Sequence, residues 1–251
     1  MGRALGPPEV RPRGGVGMIL AIETAVERVG VAVGDNSGVR ASAMLTSDRR
    51  HAESLAPMIE FVLSQASVRV DEVDHIAVDV GPGLFTGMRV GMATAQTMAW
   101  ALDVPLVPVS SLDALAFGFG ASEDPVAVAL DARRGEVYWA LYRENDGTGE
   151  PTALKAPAVS APSDAAIDIA DRGEMVACIG SGFVRYRDDF GSIPRASFAP
   201  STFSMPRAED VLGLAVLRVA RDRVVAADAL EPMYLRAPDA EINWRTRDGA
   251  A

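Results

Sequence analysis

Two histidines, one cysteine and one lysine are all that this sequence offers of residue types on which much enzyme chemistry rests. His51 and His75 lie 24 positions apart, so no i, i+4 histidine pair exists to hold zinc or iron. Cys178 sits inside the apolar run Met175-Val176-Ala177-Cys178-Ile179, the setting of a buried strand residue and not of an activated thiolate. A lone cysteine allows no disulfide within the chain, which suits a reducing compartment. No Gly-x-Ser-x-Gly elbow is present, and the acidic residues are too scattered for spacing to locate a catalytic pair. Lys155 is the only lysine, the net charge is −10, and no Lys/Arg cluster interrupts that acidity. Such a chain is poorly suited to grip a phosphodiester backbone by itself, so any nucleic-acid role is read as indirect. No run approaches the roughly 18 apolar residues of a membrane span, and residues 1–17 contain no apolar core of a signal peptide. The expectation is a cytoplasmic protein without membrane contact, its first 17 residues a disordered extension or a start-site artefact.

What is present in abundance is apolar periodicity: 49% of 251 residues are hydrophobic, ample for one large domain or two small ones. Met18 to Thr24 reads as a buried strand ending in a polar pair. Arg28 to Gly34, a turn at Asp35-Asn36-Ser37-Gly38, and Val39 to Leu45 complete an antiparallel meander. A helix follows from about His51 to Ser67, then a strand from His75, the loop Gly81-Pro82-Gly83-Leu84-Phe85-Thr86-Gly87, and a helix capped by Thr86 and reaching Leu102. Val104 to Val109 is a further strand, and Ser110 or Ser111 caps the next helix. Past the boundary at Phe117 to Pro125, a hairpin joins Val126–Leu130 to Glu136–Tyr142 across Asp131 to Gly135. A helix over 163–172, a strand over 175–179 and a helix over 208–226 follow. Both halves run strands first and then alternate helix and strand, which implies an α/β fold with two mixed sheets and suggests a structural repeat.

Two helices carry more apolar surface than one core requires. Along the second, Met88, Met92, Ala95 and Ala99 fall on one side and Val90, Ala93, Thr97, Trp100 and Ala101 on the other, with Arg89 the only charge. One side can pack on its own sheet; the other needs a second domain or another protein. The first helix has a wide apolar arc over Leu55, Ala56, Met58, Ile59, Val62 and Leu63, and Phe61 lies outside even that. At its entrance, His51 and Glu53 read either as part of the helix start, with Glu53 near the positive helix end, or as polar rim contacts of a partner surface. The loop through Gly81, Gly83, Thr86 and Gly87 is a candidate nucleotide or anion site, because glycine loops that open helices can present free N–H groups; equally, many such loops hold nothing. It matches neither a Walker A nor a dinucleotide fingerprint.

Several of these strings in order resemble the TsaB family: Ile22-Glu23-Thr24, Arg50 to Ile59, Gly81 to Arg89, Pro105-Leu106-Val107 with Ser110-Ser111-Leu112, Asp131-Ala132-Arg133 with Gly135-Glu136-Val137-Tyr138, and Pro232-Met233-Tyr234-Leu235-Arg236. The match is dense over about 18–140 and thinner beyond. The resemblance implies an actin/Hsp70-like (ASKHA) fold with subdomains at 18–118 and 119–235, followed by a flexible tail at 236–251. It also implies a non-catalytic role beside TsaD in forming N6-threonylcarbamoyladenosine at position 37 of tRNAs reading codons that start with A. TsaE joins the pair, and the chain alone forms a homodimer. ATP and a metal ion are expected on the partner subunits, with no cofactor bound by this chain alone. Pairing through the first two helices would involve His51, Glu53, Leu55, Met58, Ile59, Val62, Phe85, Met88, Arg89, Met92 and Ala95.

Against the pattern of active actin-like ATPases, Glu23 replaces an aspartate, Ala25-Val26 lacks glycine, and no second Asp-Gly-Gly loop appears. The rival expectation is a small ATPase or an acyl-phosphate-handling enzyme that uses the Gly81–Gly87 loop. A third, the peptidase activity attributed to relatives, finds neither nucleophile nor metal pair here.

Overall fold

The computed structural model describes residues 15–46, 51–143 and 148–236. Residues 1–14 of the expected extension and 237–251 of the expected tail therefore lie outside the described residues, as does Arg50. The first half runs β1 (Ile19–Glu23), β2 (Arg28–Asp35), β3 (Gly38–Thr46), α1 (His51–Gln65), β4 (His75–Asp79), α2 (Phe85–Leu102), β5 (Leu106–Val109) and α3 (Ser111–Phe119). The second runs β6 (Val126–Asp131), β7 (Val137–Arg143), β8 (Thr152–Ser160), α4 (Pro162–Ala170), β9 (Val176–Ile179), α5 (Ser181–Arg185), α6 (Arg187–Phe190), β10 (Ala196–Phe198) and α7 (Ala208–Val219).

The two sheets repeat one topology. The first has the order β3-β2-β1-β4-β5, and the second, followed from β8, has the order β8-β7-β6-β9-β10. In each, the first three strands form an antiparallel meander, and the last two join it in parallel on the other side of its first strand. This is the duplicated α/β arrangement of the actin/Hsp70-like fold.

Strand β1 shows why its sequence is an unbroken apolar run. Leu20 and Ile22 enter the core beneath α1 and α2, while Ile19 and Ala21 enter the core beneath α7. A strand covered on both faces has no polar side to show. The two inner helices are exchanged: α7, from the second half, covers the first sheet, whereas Leu112, Leu115 and Ala116 of α3, from the first half, cover β6, β7 and β9. Helices α4, α5 and α6 close the outer face of the second sheet through Ala165, Ile169, Phe183 and Phe190.

Several expectations are corrected. Helix α2 begins at Phe85 with Leu84 at the N-cap position, so Thr86 lies inside the first turn. The expected serine cap of α3 is present and is Ser110, its hydroxyl accepting the Asp113 N–H at 3.1 Å. Helix α7 stops at Val219, seven residues short of the expected end, where Ala220 and a turn at Asp222, with positive φ, take over. Strand β8 was not foreseen: it is a half-exposed edge strand, and only its pairing with β7 makes it extended. Arg236 is pinned, not loose, since it donates to the Ala132 carbonyl at 3.2 Å.

Candidate functional site

The glycine loop is filled by the chain's own backbone. A Cβ at Gly83 would stand 2.1 Å from the Ala25 carbonyl oxygen, and one at Gly87 would stand 2.1 Å from that of Thr24. At Gly81, with φ of +95°, it would meet the sulfur of Met88. The Leu84 N–H donates to Ala25 O at 2.6 Å and the Thr24 hydroxyl to Gly87 O at 2.9 Å. Two carbonyl oxygens thus occupy the space over Gly83 and Gly87, and they would repel an anion. Close packing of the β1–β2 turn under the start of α2 accounts for these glycines, while Thr86 faces solvent.

Beneath that loop lies a carboxyl pair the sequence did not reveal. Glu23 and Asp79 end neighbouring parallel strands and are fully buried. Glu23 Oε1 accepts the Ala25 N–H at 2.8 Å; Asp79 Oδ1 accepts the Gly81 N–H and the Ser111 hydroxyl, each at 2.7 Å. The other two oxygens have no donor partner. Burial, reinforced by the charge of Asp79, raises the Glu23 carboxyl well above its ordinary value, and burial pushes Asp79 up to about 7. A proton shared by the pair would satisfy both free oxygens, in keeping with the raised pKa of each carboxyl. Enclosure and the nearby Arg28 guanidinium suit a structural proton rather than a metal ion.

The turns that follow β1 and β6, equivalent in the repeat, are tied to each other by the Glu27–Arg133 ion pair. Arg133 also pairs with Asp131, whose Oδ1 accepts the Tyr186 hydroxyl at 3.0 Å. The segment through Pro232 to Arg236 straps the same region: Met233 N–H donates to Val80 O at 2.8 Å, and Arg236 pairs with Glu136. Between the two turns the chain thus places its own side chains.

The faces of α1 and α2 divide unlike the expectation. Leu55, Ile59, Val62, Met92 and Ala95 belong to the core over the first sheet, and Met88 is likewise buried; of the six, Ile59 alone also borders the groove between the helices. His51 is also buried, its Nε2 2.9 Å from Val26 O, so it ties α1 to the β1–β2 turn instead of forming a rim. Glu53 is exposed in the first turn of α1, Met58 is half-buried, and Phe85 and Arg89 are exposed. The outward side of α2 is the other one: Ala93, Thr97, Trp100 and Ala101 are exposed, Trp100 at 65% of its surface. On α1, Ala52, Ala56, Pro57 and Phe61 are exposed as well. Between the helices runs an apolar groove of about 460 Å³ lined by Ala56, Ile59, Glu60, Leu63, Thr94 and Met98.

From Phe85 to Trp100 this stripe runs about 22 Å along the helix, at 1.5 Å per residue. Its only charge is Arg89. Tyr234, 42% exposed, extends it: the ring stacks on Phe85 with centroids 5.9 Å apart. The sequence contained the signals for this face, namely Trp100 on the second side of α2 and Phe61 outside the arc of α1, but periodicity alone does not say which side meets the sheet.

The family model for TsaD, tRNA N6-adenosine threonylcarbamoyltransferase, matches residues 43–178. The chain is 34% identical over 239 residues to the Escherichia coli K12 tRNA threonylcarbamoyladenosine biosynthesis protein TsaB, covering 92% of this chain and 98% of that one. It is 30% identical over 243 residues to the Haemophilus influenzae protein of the same name, covering 92% and 97%. Among solved structures, an uncharacterized Pseudomonas aeruginosa protein described as similar to peptidase YeaZ superposes with a TM-score of 0.78 at 34% identity, over 88% of this chain and 100% of that one.

Proposed function

Since the chain belongs to the TsaB family of tRNA threonylcarbamoyladenosine biosynthesis proteins, we propose that it is a non-catalytic scaffold and activator of TsaD. In this reading it covers the outer face of α2, whose only charge is Arg89, and the adjoining surface of α1 with TsaD, and TsaD carries out threonylcarbamoyl transfer to adenosine 37 of tRNAs that read codons starting with A. TsaE joins that pair. ATP and the metal ion belong to the partner subunits, and tRNA is reached only through them. Alone, the chain covers the same face with a second copy.

The observation that carries this reading is the 65% exposed Trp100 on a helix face whose only charge is Arg89. A tryptophan so placed loses apolar surface to water unless another protein covers it, and aromatic residues lead the energetics of such contacts. A standard interface of roughly 1,600 Å² in total is enough to hold two subunits in one geometry. The filled glycine loop gives the rival ATPase no comparable support.

The test is size-exclusion chromatography with light scattering on this chain, TsaD of the same organism, and their mixture, with wild type and Trp100→Glu. The expected result is a one-to-one complex with wild type, its loss in the variant, and unchanged circular dichroism, because Trp100 supports no core. A Trp100→Glu chain that pairs like wild type would remove the α2 face from the interface.

A further inference from the structure

Arg89 is conspicuous in a chain with 34 acidic and 24 basic residues. Arg40, Arg133, Arg207 and Arg218 each sit beside a carboxylate. Among the ion pairs of the described residues none involves Arg89. Its guanidinium carbon instead lies 3.8 Å from the centroid of the Phe85 ring, and its Nε–H is directed to the Tyr234 hydroxyl at 3.5 Å. Tyr234 stacks on the same ring at an interplanar angle of 30°. The strap fixes Tyr234 from both sides, through Met233 to the end of the first sheet and through Arg236 to the β6–β7 turn. The guanidinium is therefore oriented before anything binds: one edge is engaged by Tyr234, and the two terminal nitrogens have no acceptor among the described residues.

A guanidinium presented this way is a fork for a planar pair of oxygens. Its position limits the source of those oxygens, because Arg89 lies in line with the Phe85–Trp100 stripe and only another protein covers a stripe of that length. A charge at the edge of a dry contact must be neutralised on pairing, or its desolvation opposes the complex. We propose that Arg89, braced by Phe85 and Tyr234, is the receptor for an Asp or Glu side chain that the partner protein places at the N-terminal end of the α2 face. This rests on the reading of that face as the TsaD contact. Tyr234 is then a positioning residue, acting through Arg89.

The experiment measures the affinity of the full chain for TsaD at low and high salt for wild type, Arg89→Glu, Arg89→Lys, Tyr234→Phe and Trp100→Glu. Arg89→Glu is expected to weaken binding at least about 30-fold, and Arg89→Lys less, because an ammonium cannot fork. Tyr234→Phe, which keeps the ring but loses the hydroxyl, should weaken it several-fold. Wild-type affinity should fall with salt and that of Arg89→Glu should not. One acidic-to-arginine change on TsaD, found by scanning its exposed Asp and Glu residues, should restore the Arg89→Glu complex. If both Arg89 variants bind like wild type while Trp100→Glu does not, the carboxylate receptor is wrong and the face stands. If Trp100→Glu binds like wild type, the face itself is wrong. If the loss in Arg89→Glu appears only when nucleotide is present, or no charge swap restores it, the occupant is a phosphate-bearing ligand and the proposal is overturned.

Discussion

At the scale of single residues, the Glu23–Asp79 pair has a thermodynamic consequence. Both folded-state pKa values are raised, to about 7 for Asp79, by burial that disfavours the charged form. Between an ordinary carboxylate value of about 4 and about 7, the folded chain holds protons that the unfolded chain has released, so stability declines as pH rises through that window. The contribution is complete below the unfolded value and lost above the folded one. Asp79→Asn mimics the protonated form: its carbonyl oxygen still accepts from Gly81 and Ser111, and its amide can donate to Glu23. Thermal melts between pH 4 and 8 should show wild type losing several degrees as pH rises and the variant losing clearly less, because only the buried Glu23 of the pair still titrates. A variant with the wild-type slope would contradict the shared proton. The sequence displayed both acids at the ends of apolar strands, yet it did not show that β1 and β4 are parallel neighbours; pairing across 50 residues and more is decided by tertiary packing.

At the scale of elements, α2 shows how far a sequence pattern reaches. Its single charge, Arg89, leaves apolar surface on two sides, of which one packs on the sheet and the other is exposed, and its limits are nearly right. The assignment of faces fails, because Met88, Met92 and Ala95 are as apolar as the outward residues and differ only in meeting the sheet. Flexible Met and small Ala suit that contact, where backbones approach closely; the large, flat Trp100 is left outside. The loop before α2 suggests a phosphate site in sequence because glycine patterns look alike whether they receive a ligand or a neighbouring carbonyl. Stability separates the two roles. Gly83→Ala or Gly87→Ala would press a methyl group to 2.1 Å from a backbone oxygen, which should cost about 2 kcal/mol or more. Denaturant unfolding with a midpoint equal to that of wild type would contradict the packing account and return the loop to ligand binding.

At the scale of the whole molecule, the duplicated topology was legible as an order of elements, and the exchange of inner helices was not. Helix α7 is amphipathic whichever sheet it covers, so only the structure shows that it returns to the first sheet and sits against α3. Arg218 reinforces that crossing, donating to Pro108 O at 2.6 Å and to Asp113 at 2.8 Å while the Tyr142 hydroxyl donates to the same carboxylate. With the Glu27–Arg133 pair and the C-terminal strap, these contacts hold the two sheets as one support for α2. Such a body suits a subunit whose contribution is a fixed surface. The most direct measurement is threonylcarbamoyladenosine formation on an unmodified tRNA substrate by TsaD and TsaE with their small-molecule substrates, without this chain, with it, and with its Trp100→Glu variant. Activity that depends on the wild-type chain and falls to the level without it in the variant is the predicted result. Full activity in its absence, or equal activity with Trp100→Glu, would contradict the account of an activator acting through α2.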